Sequence, residues 1–315
     1  MNKYTAKIRD AKSKISTFIF DNNLKGLKEY LNDFDEDQRA EIVNNDGGDW
    51  CVLFNACRQG HVDIVKYLIL DCSADVELRC SYYIRQDSSH EGATALFVAV
   101  SKQHYPVVQL LVSHAANVNA ATSYGLTPLR CACYSRNVSI VKYLVQNGAN
   151  VHQPNEYSRK TLLMTAVRGP VELCTFLVNN GASVNEKTID GYTAIWDAVM
   201  LGRLDIVKFL LHAGASPFMN IPKKVHILYV AAFAGNKVIF NYIRDNTVID
   251  LPRLIDGYEL LGATAIDKDN IQEGLELWEK AMALRYNSNP EAPLVKDIPN
   301  ATKKSVPISK RMCNT

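Results

Sequence analysis

The sequence predicts an all-α solenoid of about six stacked helical repeats, preceded by capping helices and followed by a short helical hairpin. Three observations predict this fold: an alanine that recurs about every 33 residues, a threonine block before it, and an apolar helical pattern after it. The intervals are 43, 33, 34, 32 and 33 residues, between Ala56, Ala99, Ala132, Ala166, Ala198 and Ala231. One such unit cannot bury its apolar faces alone, so the repeats must stack.

Each part of the repeat has a mechanical reason. In Thr127–Leu129 the threonine suits the cap of a first helix, and the proline suits its first turn. In Ile140–Leu144 the apolar residues form one stripe on a second helix. Gly148 suits the left-handed residue that ends that helix. The pattern resembles the ankyrin repeat.

The repeat pattern divides the chain into four segments. We expect capping helices in residues 1–45, repeats in 46–250, a helical hairpin in 251–286 and a mobile tail in 287–315. The 43-residue interval predicts about ten extra residues in one hairpin, within Leu78–His90. Two interpretations of this long hairpin stay open, a lid beside a binding site and a tolerated surface insertion.

Composition excludes several classes of protein. Hydrophobic residues make up 47% and charged residues 22%, which is typical of globular domains, and a net charge of +2 argues against nucleic-acid binding. No apolar run approaches the roughly 18 residues of a membrane span, and the N-terminal residues lead into no signal core. Eight cysteines are too sparse for a disulfide framework. We expect no membrane partner and a cytoplasmic location; a weak nuclear-import pattern at Pro222–Val225 leaves the nucleus open.

Motifs for catalysis and metal binding are missing from the sequence. There is no phosphate-binding loop, dinucleotide fingerprint, zinc-protease motif or nucleophile elbow. Cys131 and Cys133 are two apart on a predicted helix, where they do not share a face. We therefore expect a protein that is not an enzyme and takes no cofactor and no metal.

The candidate binding surface is the concave side of the stack, where the third residue after each threonine position lies. In the common repeat this residue is histidine; here the series is Phe54, Phe97, Arg130, Met164, Trp196 and Tyr229. Arg130 and Tyr134 are four apart on one helix face. A guanidinium beside an aromatic ring suits a carboxylate with an apolar neighbour. The alternatives are a specialised groove and repeat decay with aromatic filling.

Two regions of the chain, one within the repeats and one after them, resemble the Fem (feminization) family. Thr127–Tyr134 and Ile140–Leu144 are similar to Fem repeats, while Tyr258–Thr264 and Trp278–Tyr286 are similar to the Fem stretch after the repeats. The resemblance implies a substrate receptor of a cullin-two ubiquitin ligase that grips the C-terminal tail of a target. Ser135 stands where the family has an acidic residue.

The resulting hypothesis is a non-catalytic binding module that captures a C-terminal tail. We expect Arg130 to oppose the terminal carboxylate, with Tyr134, Tyr83 and Phe97 flanking the preceding side chains. The candidate peptide-binding residues are Tyr83, Arg85, Asp87, Phe97, Leu126, Arg130, Tyr134 and Ser135. Cullin and elongin subunits are expected as partners only of a longer form, because no amphipathic docking helix follows Arg285. The alternative is a general ankyrin scaffold that binds a folded partner.

Overall fold

The structure is a computed structural model that describes residues 3–45, 51–79, 91–154, 159–220, 224–268 and 270–288. Within these ranges there are seventeen helices and one two-stranded sheet, so the prediction of an all-α fold is confirmed. The chain divides into two compact units, Met1–Ile189 and Asp190–Thr315.

The first unit holds three N-terminal helices and four helix pairs. In chain order its helices are α1 Lys3–Phe20, α2 Leu24–Leu31, α3 Glu36–Asn44, α4 Val52–Gln59, α5 Val62–Asp71, α6 Ala95–Ser101, α7 Tyr105–Ser113, α8 Pro128–Tyr134, α9 Val138–Gln146, α10 Leu162–Ala166 and α11 Val171–Asn179. The even-numbered helices from α4 to α10 pack side by side, as do the odd-numbered helices from α5 to α11. The expected period of one helix pair per repeat is therefore present.

Threonine residues fix the start of three inner helices in this unit. The hydroxyl oxygens of Thr94, Thr127 and Thr161 each accept a hydrogen bond from the backbone N–H three residues later. Each bond satisfies one of the N–H groups that a helix leaves without an internal partner. The third residue of each inner helix is thereby held in a constant orientation.

Asparagine side chains tie consecutive repeats together. The amide nitrogen of Asn119 donates to the carbonyl oxygen of Gly148 at 3.0 Å, and its oxygen accepts from the N–H of Asn150 at 2.8 Å. Asn44 makes the same two bonds near the start of the stack. These brackets satisfy polar backbone groups in the turns that connect one repeat to the next.

A related bracket closes the base of the long hairpin. Glu77 accepts from the N–H of Asn117 at 2.7 Å, and Nη1 of Arg79 donates to the carbonyl oxygens of Gly92 and Ala121 at 2.9 and 2.6 Å. The bracketed partners are 40 residues apart here, compared with 31 at the other two brackets. The base of the hairpin is thus bonded into the repeat frame.

The second unit holds two further helix pairs, a short hairpin of strands and a long helical hairpin. Its elements are α12 Ala194–Met200, α13 Leu204–His212, β1 Phe218–Asn220, β2 Lys224–His226, α14 Ile227–Phe233, α15 Lys237–Asn246, α16 Leu251–Asp267 and α17 Ile271–Ser288. The strands pair antiparallel, with Phe218 opposite His226. The two long helices approach closely at Gly262 and Gly274, where an added Cβ would meet Trp278 and Ile266 respectively.

Candidate functional site

Arg130 is the largest fully buried side chain among the described residues, with 1% of its surface exposed. The cap at Thr127 sets its place in the first turn of α8. Its guanidinium reaches the next repeat, where Nη2 donates to the carbonyl oxygen of Gln153 at 2.7 Å and Nη1 donates to the hydroxyl oxygen of Thr165 at 3.3 Å. The side chain therefore links α8 to α10 and to the turn before it.

Both acceptors of the Arg130 guanidinium are neutral. Burial lowers the pKa of Arg130, while neighbouring Tyr134 and Cys133 act to raise it. Arginine nonetheless keeps its proton in proteins, so a positive charge is buried here. Within the described ranges, no carboxylate lies within ion-pair distance of this guanidinium. Burying a cation without a counter-charge costs free energy, which these two neutral acceptors offset only in part.

Tyr134 and Ser135 end the same helix in different ways. The Tyr134 ring lies one turn beyond Arg130 and is 55% exposed, which is unusual for a large aromatic side chain. The Ser135 hydroxyl donates to the carbonyl oxygen of Cys131 at 2.8 Å and lies 3.4 Å from that of Ala132. Tyr134 is thus available on the surface, whereas the Ser135 hydroxyl serves the helix end.

Phe97 lies in the core, which corrects the expected aromatic groove wall. Its side chain is only 2% exposed, and the equivalent Phe54 and Met164 are 2% and 1% exposed. The cause is the stacking itself: each short inner helix packs against neighbours on both sides, so this position is enclosed. In the first unit these side chains serve packing rather than a ligand-facing surface.

Leu126 belongs to the hairpin that leads into α8. It is half-buried, and its backbone pairs with Thr122, whose N–H donates to the Leu126 carbonyl oxygen at 3.0 Å. Tyr124, at the tip of this hairpin, is 37% exposed and was missed by the sequence analysis. An aromatic residue within the turn Ser123–Gly125 was the available signal.

The remaining sequence-predicted residues, Tyr83, Arg85 and Asp87, lie outside the described residues. Gln153 was also missed, since it contributes through its backbone carbonyl and leaves no side-chain signal. Of the sequence-predicted residues, Arg130 and Tyr134 lie on α8, Ser135 ends this helix and Leu126 lies in the hairpin before it.

The cysteines near Arg130 form no disulfide bond with any described residue. Burial raises the pKa of Cys133 to about 12, although Arg130 acts to lower it, so this thiol stays protonated at neutral pH. Cys131 is half-buried. Within the described ranges, no group of three histidine, cysteine or acidic residues is placed to hold a metal ion.

The fold and the repeat brackets define a helical-repeat protein, a class whose members use stacked surfaces to hold partners. Sequence comparison identifies the repeat. The family model described as ankyrin repeats, in three copies, matches residues 53–155 and 152–221, which together exceed half of the chain. The chain belongs to the ankyrin-repeat family, and such repeats make it a protein-binding module.

Several curated proteins are similar over part of the chain. The fem-1 homolog CG6966 of Drosophila melanogaster is 34% identical over 102 residues, 32% of this chain. The RelA-associated inhibitor and the BCL-6 corepressor-like protein 1, both of Mus musculus, are 32% and 33% identical over 25% and 29% of the chain. The matches span only 15%, 8% and 4% of the length of these relatives. In the described part of the chain, no helix is long and apolar enough to cross a membrane.

Proposed function

We propose that this chain is a non-catalytic module that captures the C-terminal tail of a partner protein, with Arg130 receiving the terminal carboxylate. The observation that carries the proposal is the buried guanidinium of Arg130, whose acceptors are the neutral oxygens of Gln153 and Thr165. A carboxylate would supply the missing negative charge. Hydrogen bonds between charged groups are about twice as strong as neutral ones.

A binding step follows from the two contacts of the guanidinium. Because Arg130 is 1% exposed, binding requires the turn at Gln153 to move away: the Gln153 carbonyl oxygen, which accepts from Nη2 at 2.7 Å, would turn to solvent and the carboxylate would take its place. The Nη1 contact to Thr165 would keep the guanidinium plane fixed during this exchange. The exposed Tyr134 ring, one turn away, would pack against the residue before the terminal one. The energetic gain comes from exchanging a neutral acceptor for a charged one.

A finer proposal concerns what happens to the captured partner. The match to the Drosophila fem-1 homolog and the similarity of Thr127–Tyr134 to Fem repeats support a role in choosing substrates for a ubiquitin ligase. Because the match covers 15% of that relative, the ligase subunits would be engaged by a longer form. Co-purification of cullin and elongin subunits with the longest natural form of the protein tests this role.

The tail proposal is tested with a library of labelled peptides that carry free C-termini. The best binder is resynthesised with an amidated end, and both forms are titrated by fluorescence polarisation. We expect amidation and the Arg130→Met substitution each to weaken binding by roughly 30-fold or more, as for loss of a charged hydrogen-bonding partner. The matched control is Arg203→Met, which removes a half-buried guanidinium that pairs with Asp205. Equal affinity of the amidated peptide would contradict carboxylate recognition.

A second function is supported by the same burial of Arg130. Its two hydrogen bonds join neighbouring repeats, which suits a rigid scaffold that binds a folded partner through hairpin tips such as Tyr124. In that case Arg130→Met would lower the free energy of unfolding and leave peptide affinity unchanged. Measuring both the free energy of unfolding and the peptide affinity of Arg130→Met therefore separates the two functions.

A further inference from the structure

Three of the four turns that join the two helices of a repeat in the first unit carry an exposed cation and no acidic residue. Lys102, Arg136 and Arg168 stand in three consecutive turns, and all three are exposed. The turn segments 101–105 and 134–138, like residues 167–171, contain no aspartate or glutamate. We call these three cations the basic edge.

The cations of the basic edge have no ion-pair partner among the described residues. The second unit differs. There Arg203, at the end of the turn before α13, donates to Asp205 through two hydrogen bonds, of 3.1 and 2.8 Å, and Lys237, the first residue of α15, binds Glu273 of α17 at 2.6 Å. A cation at the end of such a turn is thus neutralised in the second unit, whereas, within the described ranges, the cations of the basic edge are not.

The backbone at Arg136 adopts a conformation that suits glycine. Its φ is 58°, in the left-handed region that glycine adopts without strain. Other repeats place Gly60, Gly202 and Gly235 at this position, with φ of 82°, 70° and 66°, while Gln103 shares the strained conformation with a φ of 61°. An arginine costs more conformational energy here than a glycine does, so the Arg136 side chain can be removed by a change to glycine without straining the backbone.

Neighbouring turns of the basic edge are in contact. The side chain of Asn137 donates to that of Gln103 at 3.3 Å, and a Cβ added to Gly169 would lie 3.6 Å from the Cβ of Arg136. Stacked helices are spaced by about 8–10 Å. A chain in the extended polyproline II conformation advances about 3.1 Å per residue and completes one turn in three residues, so every third side chain lies on the same face and meets the next cation.

We propose that the basic edge binds an acidic segment of a partner protein, held extended, with aspartate or glutamate at every third position. The net charge of +2 for the whole chain and the ankyrin family favour a protein over a nucleic acid as the partner. This surface does not include Arg130, so it stands independently of the tail site. The competing explanation is that the cations only stabilise the negative C-terminal ends of α6, α8 and α10.

The experiment uses the full chain and an amidated, fluorescent peptide of about twelve residues with glutamate at every third position. Amidation removes the terminal carboxylate, so failure here and failure of the tail proposal are distinguishable. At low ionic strength we expect Lys102→Gln, Arg136→Gly and Arg168→Gln each to weaken binding by roughly 3- to 10-fold, because each removes one charge pair. Added salt should weaken binding of the original chain. The matched controls Arg203→Gln and Lys237→Gln should leave the affinity unchanged.

Arg136→Gly supplies a readout that a purely structural role does not give. We expect its Tm to be unchanged or raised while peptide affinity falls, because glycine relieves the left-handed backbone. The proposal is overturned if the peptide does not bind or if the controls weaken binding equally. Tighter binding of a single-stranded oligonucleotide or of phosphatidylserine vesicles also overturns it. If Lys102→Gln and Arg168→Gln lower Tm but leave the peptide affinity unchanged, the cations only stabilise the helix ends and the proposal is overturned.

Discussion

The two units differ in how their buried polar side chains are satisfied. In the first unit Arg130 has two hydrogen-bond acceptors, although it is 1% exposed. Among the described residues, three buried side-chain atoms lack a hydrogen-bond partner, and all three are in the second unit: Thr193 Oγ1, His226 Nε2 and Trp278 Nε1. Each such group costs about 1–3 kcal/mol. Regular repeats supply partners through one repeated local geometry, and the unit that departs from the repeat loses some of them.

His226 illustrates the difference most clearly. It is 0% exposed, and its Nδ1 accepts a hydrogen bond from the N–H of Leu228 at 3.1 Å, so the proton of the neutral ring is assigned to Nε2. Burial, together with the positive charge of Arg253, lowers the pKa of His226 to about 4, while Asp250 acts to raise it. The buried histidine of the second unit is thus neutral, whereas the buried arginine of the first unit is charged.

The largest effect is expected from Arg130→Ala. The change leaves a cavity and removes the donor to the Gln153 carbonyl oxygen, which should lower the free energy of unfolding by about 3–4 kcal/mol. Urea denaturation followed by circular dichroism measures it, with the exposed Arg168→Ala as the control at close to zero. A loss below about 1 kcal/mol for Arg130→Ala would mean that the free-energy cost of burying the positive charge offsets the stabilisation from the hydrogen bonds of Arg130.

The second largest effect is a pH dependence that originates in the second unit. The pKa of His226 is about 4 in the folded chain and 6.5 in an unperturbed histidine, so between these values the unfolded chain binds a proton that the folded chain does not. The free energy of unfolding should therefore fall as the pH falls from about 6.5 to about 4, by up to roughly 3 kcal/mol, and then level off.

Two histidine variants assign this pH dependence. His226→Asn keeps a capping acceptor for the N–H of Leu228 but cannot titrate, so its stability should change much less over the same pH range. His212→Asn alters an exposed histidine of the same unit and should leave the dependence intact. If the free energy of unfolding of His226→Asn depends on pH as steeply as that of the original chain, another group causes the effect.

The smallest expected effect is a difference in Tm between variants of two threonines that stand at the N-caps of helices. Thr127→Val removes the acceptor for the N–H of Arg130 and should lower Tm, in line with a loss of about 1 kcal/mol. Thr193→Val removes a buried hydroxyl that makes no cap bond and should leave Tm unchanged or raise it. Calorimetry of the two variants compares them directly. Equal losses would show that the Thr193 hydroxyl is satisfied in solution.

Local physics explains which parts of the fold were predictable. The Thr127 cap and the apolar stripe of Ile140–Leu144 act within one helix pair, so the period and the helix pairs followed from the sequence. The helix Glu36–Asn44 lies within the segment predicted to form capping helices, and the reciprocal bonds between Asp35 and Gln38 form a capping box at its start. The strands Phe218–Asn220 and Lys224–His226 were missed because they are too short for any alternation to show.

The surroundings of the candidate site were less predictable. The acceptors of Arg130 are 23 and 35 residues away in sequence, and one of them is a backbone carbonyl. The burial of Phe97 likewise depends on helices from two other repeats. In the sequence, a phenylalanine at this position looks the same whether it faces a groove or the core. Only the packing of the neighbouring repeats decides between the two.

The bracket made by Glu77 and Arg79 has a consequence for how this protein can diversify. Its bonds to Asn117, Gly92 and Ala121 fasten both ends of the segment that runs through residues 80–90. Every group in these bonds lies outside residues 80–90. Substitutions within that segment therefore remove none of the hydrogen bonds that hold the flanking repeats in register.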